Sequence, residues 1–371
     1  MRICFVTTMS IDRHASMKRS FGMGPVLAAM GHEVSMLLQD TPANRERIAA
    51  CPGVTPIYFP VSNITQERRF KQQALAVGRF DVTMGNSMST RNFVKSPKEH
   101  GTVSLMEHCE LESLFLGRSK PKRMLKRLQE RASLQAFDGT IASSVYLFNV
   151  FRHQLFRLGL KRPLVWLPYA YPEDYLQADA AQVALVRERY GNKKLLVSLA
   201  TLVPEYGSLF WLDALEQLKQ QRNDWHAVFL GKGDIEQAQA YAQSKGLADH
   251  VDYPGFVPES VVPAHLHASA VMLSYLTDTG QDWARCPSKI YLYMTAQKPI
   301  VTAPIGENRA ALGTHGFFYQ LDSAASAAEQ MSRALDASGQ PIGYPLEEHS
   351  WERRCLDFLD WLKHSFPQVP L

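Results

Sequence analysis

The sequence predicts an α/β protein of two doubly wound domains joined by a short linker. Three observations carry that prediction. At 371 residues the chain exceeds what one hydrophobic core organises. Short β-branched runs alternate with amphipathic stretches, the pattern of βα units around a parallel sheet, and the alternation occurs twice. Between the two series, 168–180 carries Pro168, Pro172 and acidic residues, a linker composition.

In order along the first series, strands are expected at 3–7, 33–38, 56–59, 81–84, 102–106, 139–142 and 164–167, with helices at 20–30 and 122–136 among the intervening stretches. The second series restarts at 195–199 and continues with strands at 227–230, 251–253, 270–273 and 299–301, separated by helices at 208–220, 235–245, 288–296 and 324–335. A last amphipathic helix, 351–364, can align Trp351, Cys355, Phe358, Leu359 and Leu362 on one face. The expected division is a first domain over 1–170, a linker over 171–193, a second domain over 194–347, and a helix over 348–371 packing back on the first domain. Open parallel sheets bind ligands beyond the carboxyl ends of their strands, so a cleft between the domains is the expected site.

Composition narrows the class. Hydrophobic residues make up 46% and charged residues 20%, as in a globular protein. The five cysteines contain no CxxC pair, which argues against a disulfide framework or a zinc site and for a reducing compartment. The apolar run at the start is too short for a signal peptide and reads as a first strand. No stretch approaches the ~18 apolar residues of a membrane-spanning helix.

Charge is divided unevenly. Residues 1–170 hold 24 Lys and Arg against 12 Asp and Glu, and residues 171–371 hold 16 against 24. Lys120, Lys122, Arg123, Lys126, Arg127 and Arg131 concentrate the excess in one helical stretch. With Met124, Leu125 and Leu128 interleaved, that stretch is expected to face an anionic membrane surface, the alternative being a solvated helix face.

Among the motifs, Cys286-Pro-Ser-Lys289 opens a helix that leads through Lys298-Pro299 into a strand. The N–H groups of such a helix start can hold a phosphate, with Ser288 adding a hydroxyl and Lys289 or Arg285 a charge. The same residues also make an ordinary helix cap. The loop Ser10-Ile-Asp-Arg-His-Ala-Ser16 follows the first strand; Asp12 or His14 could orient or deprotonate an acceptor hydroxyl, and Ala15 and Ser16 permit close backbone approach.

Over most of its length the chain resembles the GT-B nucleotide-sugar glycosyltransferases of family 4, most closely at 195–312. Leu195 to Gly207 resembles the first donor-domain strand and phosphate loop, including Thr201 and Tyr206. Phe229-Leu-Gly-Lys-Gly-Asp234 resembles the next strand and glycine turn, with Gly231 and Lys232. Gly255-Phe-Val-Pro-Glu259 resembles the loop packing on the nucleotide base, with Phe256 and Val257. Pro287 through Asn308 resembles the segment placing the donor diphosphate and sugar. In the first half, Gly31-His-Glu-Val34 resembles the family's entry to its second strand, and Phe137 to Ser144 resembles its strand ending in serine.

The resemblance implies that His108, after a strand in Met106-Glu-His-Cys109, lies beside the donor sugar and donates a hydrogen bond to a donor hydroxyl or phosphate, with Glu107 as a second candidate. The chain departs from the family where Arg and Lys of the phosphate loop are replaced by Thr201 and Tyr206, and where paired glutamates align with Ala284 and Leu292. Asp282, Arg285, Lys232 and Lys289 are the expected compensation. If transfer inverts, Asp12, His14 or Glu107 becomes the base.

The implied activity is transfer of a sugar from a nucleoside diphosphate donor to a glycan or lipid-linked acceptor, without a metal or other cofactor and without a nucleic-acid partner. The expected place is the cytoplasm, peripheral on the inner face of the plasma membrane. A nucleotide-sugar epimerase of the same fold, or a non-catalytic subunit with a decayed donor site, remain alternatives.

Overall fold

The computed structural model describes residues 1–11, 17–86, 90–97, 100–115, 117–191 and 193–370. It divides into two compact units: the first is Met1–Ala170 with Ala284–Cys286 and His349–Leu371, the second Tyr171–Trp283 with Pro287–Glu348.

Among the described residues the first unit holds a seven-stranded sheet built from β1 (Arg2–Val6), β2 (Glu33–Gln39), β3 (Val54–Phe59), β4 (Val82–Asn86), β5 (Val103–His108), β6 (Gly139–Ala142) and β7 (Leu164–Trp166), in the order β3-β2-β1-β4-β5-β6-β7. Every pairing is parallel: Ile3 registers with Val34 on one side and with Val82 on the other. The central strands β4, β5 and β6 are buried along their whole length, as expected of a sheet covered on both faces. One cluster packs Cys4, Val6, Leu37, Phe59 and Leu75; another packs Leu111, Leu134, Leu147 and Phe151. The final helix Trp351–Ser365 rests on Lys18–Ala29 within this unit, burying Cys355, Phe358 and Leu362.

The second unit holds, among the described residues, a six-stranded parallel sheet of β8 (Lys194–Leu199), β9 (Trp225–Leu230), β10 (Val251–Gly255), β11 (Val271–Ser274), β12 (Ile300–Thr302) and β13 (Phe317–Phe318), ordered β10-β9-β8-β11-β12-β13. Leu196, Trp211, Leu215, Trp225, Phe229, Val271, Val301 and Met331 form its core. In each sheet the strand order reverses beside the first strand of the unit, at β1/β4 and at β8/β11, which is where a doubly wound sheet opens a crevice at its carboxyl edge.

The stretch 171–193 has more structure than a linker. Asp179 caps the helix Ala180–Arg189 by accepting from the N–H groups of Ala181 and Gln182, and that helix packs on Val262–Ala268 inside the second unit. No helix among the described residues is long and apolar enough to cross a membrane.

Candidate active site

At the carboxyl edge of the second sheet, three turns are fastened to one another by main-chain bonds. After β8, the Ala200 N–H donates to Leu230 O at 3.0 Å and the Leu202 N–H donates to Lys232 O at 2.7 Å, while the Asp234 N–H donates back to Leu202 O at 2.7 Å. The Gly231 N–H in turn donates to Gly255 O at 2.9 Å, joining the β9 turn to the β10 turn. Gly231 has φ of 155° and a Cβ there would lie 1.8 Å from Ala200 O, so the approach of the two turns requires glycine. The result gathers Thr201, Gly231, Lys232, Phe256 and Val257. The Lys232 ammonium stands 4.4 Å over the exposed Phe256 ring, a cation–π contact that keeps both side chains at the surface.

Two helix starts flank the end of β8. Gly207, in the left-handed region, leads into the helix Ser208–Gln221, whose first-turn N–H groups receive no side-chain cap from it; a Cβ at Gly207 would strike the Tyr275 ring at 2.2 Å. The helix Ser288–Thr295 begins after Pro287, again without a cap from that residue's side chain. Lys289 Nζ donates to Leu199 O at 3.0 Å, and the fully buried Tyr293 hydroxyl accepts from the Leu199 N–H at 2.7 Å and donates to Leu273 O at 3.2 Å. Ser288 and Lys289 are thereby held against the ends of β8 and β11. Helix N-termini carry partial positive charge from their aligned N–H dipoles, the chemistry of an anion seat.

Other residues expected here have different settings. Asp282 is buried and its Oδ2 accepts from both the N–H and the hydroxyl of Thr277, at 2.9 and 2.8 Å, so its carboxylate closes a turn. Arg285 belongs to the first unit, where its charge pulls the Glu110 carboxyl down against a larger upward push from burial. Ala284 is also in the first unit, its carbonyl accepting from Ser144 Oγ at 2.8 Å. Tyr206 is exposed beside Gly207.

In the first unit, Glu107 and His108 end β5. Arg19 and Glu107 form a buried ion pair, Nε to Oε1 at 2.6 Å. Arg19 also donates to Leu167 O at 2.5 Å and lies 5.2 Å from the Tyr169 ring centroid, while Ser143 Oγ donates to Glu107 Oε1 at 3.3 Å. Burial pushes the Glu107 carboxyl up and Arg19 pulls it back, and Glu107 holds Arg19 protonated. Glu107 Oε2 has no hydrogen-bond partner among the described residues.

His108 departs from the role the resemblance implies. It is buried against Phe151, ring centroids 4.4 Å apart, and burial lowers its pKa to about 3, so the imidazole is neutral. Its Nε2 lies 3.0 Å from Ser133 Oγ, whose own proton goes to Glu130 O at 2.7 Å. Ser133 must therefore accept, which assigns the proton to Nε2 and leaves Nδ1 a bare acceptor without a partner among the described residues. As placed, His108 anchors the helix Lys120–Ala136 and has no N–H left to offer a donor sugar. Asp12, His14, Ala15 and Ser16 lie outside the described residues.

Of the six cations expected at a membrane, Lys120, Lys122, Arg123, Arg127 and Arg131 are exposed, Arg123 with its Nε donating to Ser113 O at 3.0 Å, whereas Lys126 is half-buried and pairs with Glu112 at 2.9 Å. Among the described residues no group of three or more His, Cys, Asp or Glu is placed to hold a metal ion.

Sequence reasoning missed Tyr293 and Arg19. Tyr293 carried a readable signal, since it falls one turn after Lys289 on the same helix. Arg19 carried none: nothing in a charged residue within an amphipathic helix announces that it will be buried.

Two parallel-sheet, doubly wound units with these strand orders constitute the GT-B fold. Alr3699/HepE of Anabaena in complex with UDP and glucose superimposes with a TM-score of 0.75 at 12% identity, over 98% of this chain and 100% of that one. A glycosyltransferase from Rickettsia africae ESF-5 gives 0.74 at 13% identity, over 98% of each chain. Residues 193–337 match the family described as glycosyl transferases group 1. The GDP-mannose-dependent alpha-(1-6)-phosphatidylinositol monomannoside mannosyltransferases of Mycolicibacterium smegmatis and Mycobacterium tuberculosis are 33% and 34% identical to this chain over 115 residues, which is 30% of this chain and 30% of each relative. The match thus spans about 30% of the length of these curated relatives. The fold is thus that of GT-B proteins, and the likeness in sequence to glycosyl transferases group 1 lies within 193–337.

Proposed function

We propose that the chain transfers a sugar from a nucleoside diphosphate sugar, held by the second unit, to a hydroxyl of a glycan or lipid-linked acceptor held by the first. The reaction would serve assembly of a bacterial-type surface polysaccharide or glycolipid, at the inner face of the plasma membrane. One observation carries this reading: within the family-matched segment, the starts of two helices and three interlocked turns converge on the end of β8. A diphosphate leaving group gathers negative charge as its bond to the sugar breaks, and aligned N–H dipoles with Lys289 and Lys232 nearby stabilise that charge without a metal ion. Phe256 offers a flat apolar face for the base.

The donors named for the neighbours and relatives, UDP with glucose and GDP-mannose, support a nucleoside diphosphate and differ in base and sugar. Their named acceptor, a phosphatidylinositol monomannoside, supports a lipid-linked acceptor. Retention of configuration is favoured by the family resemblance, with inversion the alternative. A screen of nucleotide sugars for slow acceptor-free hydrolysis tests the reading, with Lys289→Met and His108→Ala alongside the native chain. Release of nucleoside diphosphate from one donor, diminished in Lys289→Met, is the expected result; unchanged turnover in His108→Ala removes that histidine from the chemistry.

A second reading, a subunit without transferase activity, is favoured by Thr201, Tyr206, Ala284 and Leu292 standing where the family carries charged ligands. It predicts no thermal shift with any nucleoside diphosphate, whereas a transferase gains stability from ligand by mass action.

A further inference from the structure

The helix Lys120–Ala136 is built inside out. Its inward face, apart from Leu134 in the core, is polar: Glu130 and Ser133 are buried, Glu130 accepts from the Ser113 N–H and hydroxyl at 3.0 and 2.6 Å, Ser133 meets His108, and Lys126 meets Glu112. Its outward face holds three large apolar side chains, Met124, Leu125 and Leu128, exposed by 65%, 56% and 54%. At 3.6 residues per turn these three share one stripe with Pro121 and Ala132, bordered by Lys120, Arg127 and Arg131 on one side and Lys122 on the other. Between residues 120 and 136 six cations face one carboxylate, Glu130, which is turned inward.

The placement of this face follows from its anchors. Ser133 meets the last residue of β5, and a helix returning antiparallel to that strand carries its earlier residues beyond the carboxyl edge of the sheet. The residues from Lys120 to Ser133 span about 20 Å at the α-helical rise. That length rests on Glu112 and Ser113, through the bonds of Arg123, Lys126 and Glu130.

We infer that this outward face docks on an anionic lipid bilayer, with Met124, Leu125 and Leu128 entering the boundary of the acyl chains and Lys120, Lys122, Arg127 and Arg131 meeting lipid headgroups. An apolar stripe alone would suit many partners; the flanking cations, without an exposed carboxylate on the helix, select a surface that is both apolar beneath and negative above. The inference deepens the proposed function, because it names the surface that would bring the first unit to a lipid-linked acceptor.

The test is co-sedimentation of the full chain with vesicles of phosphatidylcholine alone and with phosphatidylglycerol added, at low and high salt. Binding is expected to need the anionic lipid and to weaken with salt. Neutralising Lys120→Gln and Arg131→Gln should each lower partitioning about fivefold, and Met124→Ser with Leu125→Ser and Leu128→Ser should abolish it with the melting temperature retained. Equal binding to neutral vesicles, native-like binding by the variants, or self-association or polyanion binding through this face without vesicle binding would each overturn the inference. Turnover of a sugar nucleotide is read in the same preparations: vesicle binding without turnover sinks only the transferase reading, and turnover without vesicle binding sinks only this one.

Discussion

The Nζ of Lys289 donates to the carbonyl oxygen of Leu199 at 3.0 Å, tying the first turn of one helix to the end of the central strand of the second sheet. A charged donor fixed by a backbone acceptor keeps its position at the strand end, where the Ser208–Gln221 helix also begins. Replacement Lys289→Met should therefore cost more in ligand binding than in folding. A hydrogen bond from a charged group contributes roughly 1.5–3 kcal/mol, so the affinity for UDP or GDP is expected to fall at least tenfold. Thermal-shift titration measures it, and native affinity in the variant would take Lys289 out of the donor seat.

Gly231→Ala should disturb the interlocked turns, because its added carbon would sit 1.8 Å from Ala200 O with φ at 155°. Steric overlap and backbone strain together cost roughly 3 kcal/mol. Gly246→Ala is the comparison: φ is again positive at 66°, but nothing lies within 4 Å of the new carbon, and the expected loss is about 1 kcal/mol. Equal midpoints for the two variants in urea would show that the turns move apart without penalty.

Much of the scaffold was legible because parallel strands buried on both faces announce themselves as short apolar runs; β6, for example, falls at the expected 139–142. Helix Ile64–Gly78 was not read, since Glu67 and Lys71, which a periodicity count places outside, are buried there as an ion pair with Lys71 also bonded to Thr7 O and Asn92. Strand β13 has two residues and no pattern to find. The residues of the second unit's turns were readable through glycine, whose backbone demands show in the sequence. The burial of Asp282, His108 and Arg19 was not, because the partners that satisfy a polar group inside a protein are set by the tertiary fold.

The Arg19–Glu107 pair gives a cycle with a definite sign. Arg19→Met strands a carboxylate at a position with no exposure and should lose about 3–5 kcal/mol, as broken buried pairs do. Adding Glu107→Leu removes the stranded charge and should recover most of that loss, since an apolar pair of similar volume is close to neutral. Urea midpoints of the two single variants and the double variant decide it. Losses that simply add would mean that the two side chains do not act as a pair.

His108 sets a pH dependence that follows from its burial. Its folded pKa, about 3, lies below the ordinary 6.5, so the unfolded chain takes up a proton between those values while the folded chain does not. The stabilising difference is present in full above pH 6.5 and is lost as pH falls toward 3. Through the middle of that window the slope for one proton is about 1.4 kcal/mol per pH unit. His108→Phe cannot take the proton and should flatten the curve by that amount, although it loses the bond to Ser133 and begins from lower stability at neutral pH. Other groups titrating in the same window contribute equally to both proteins, so the difference between their urea-unfolding curves from pH 4 to 7 isolates the histidine. Parallel curves would mean that the imidazole is solvated and protonates in the folded chain as it does in the unfolded one, and its assignment as a buried anchor of the Lys120–Ala136 helix would fail.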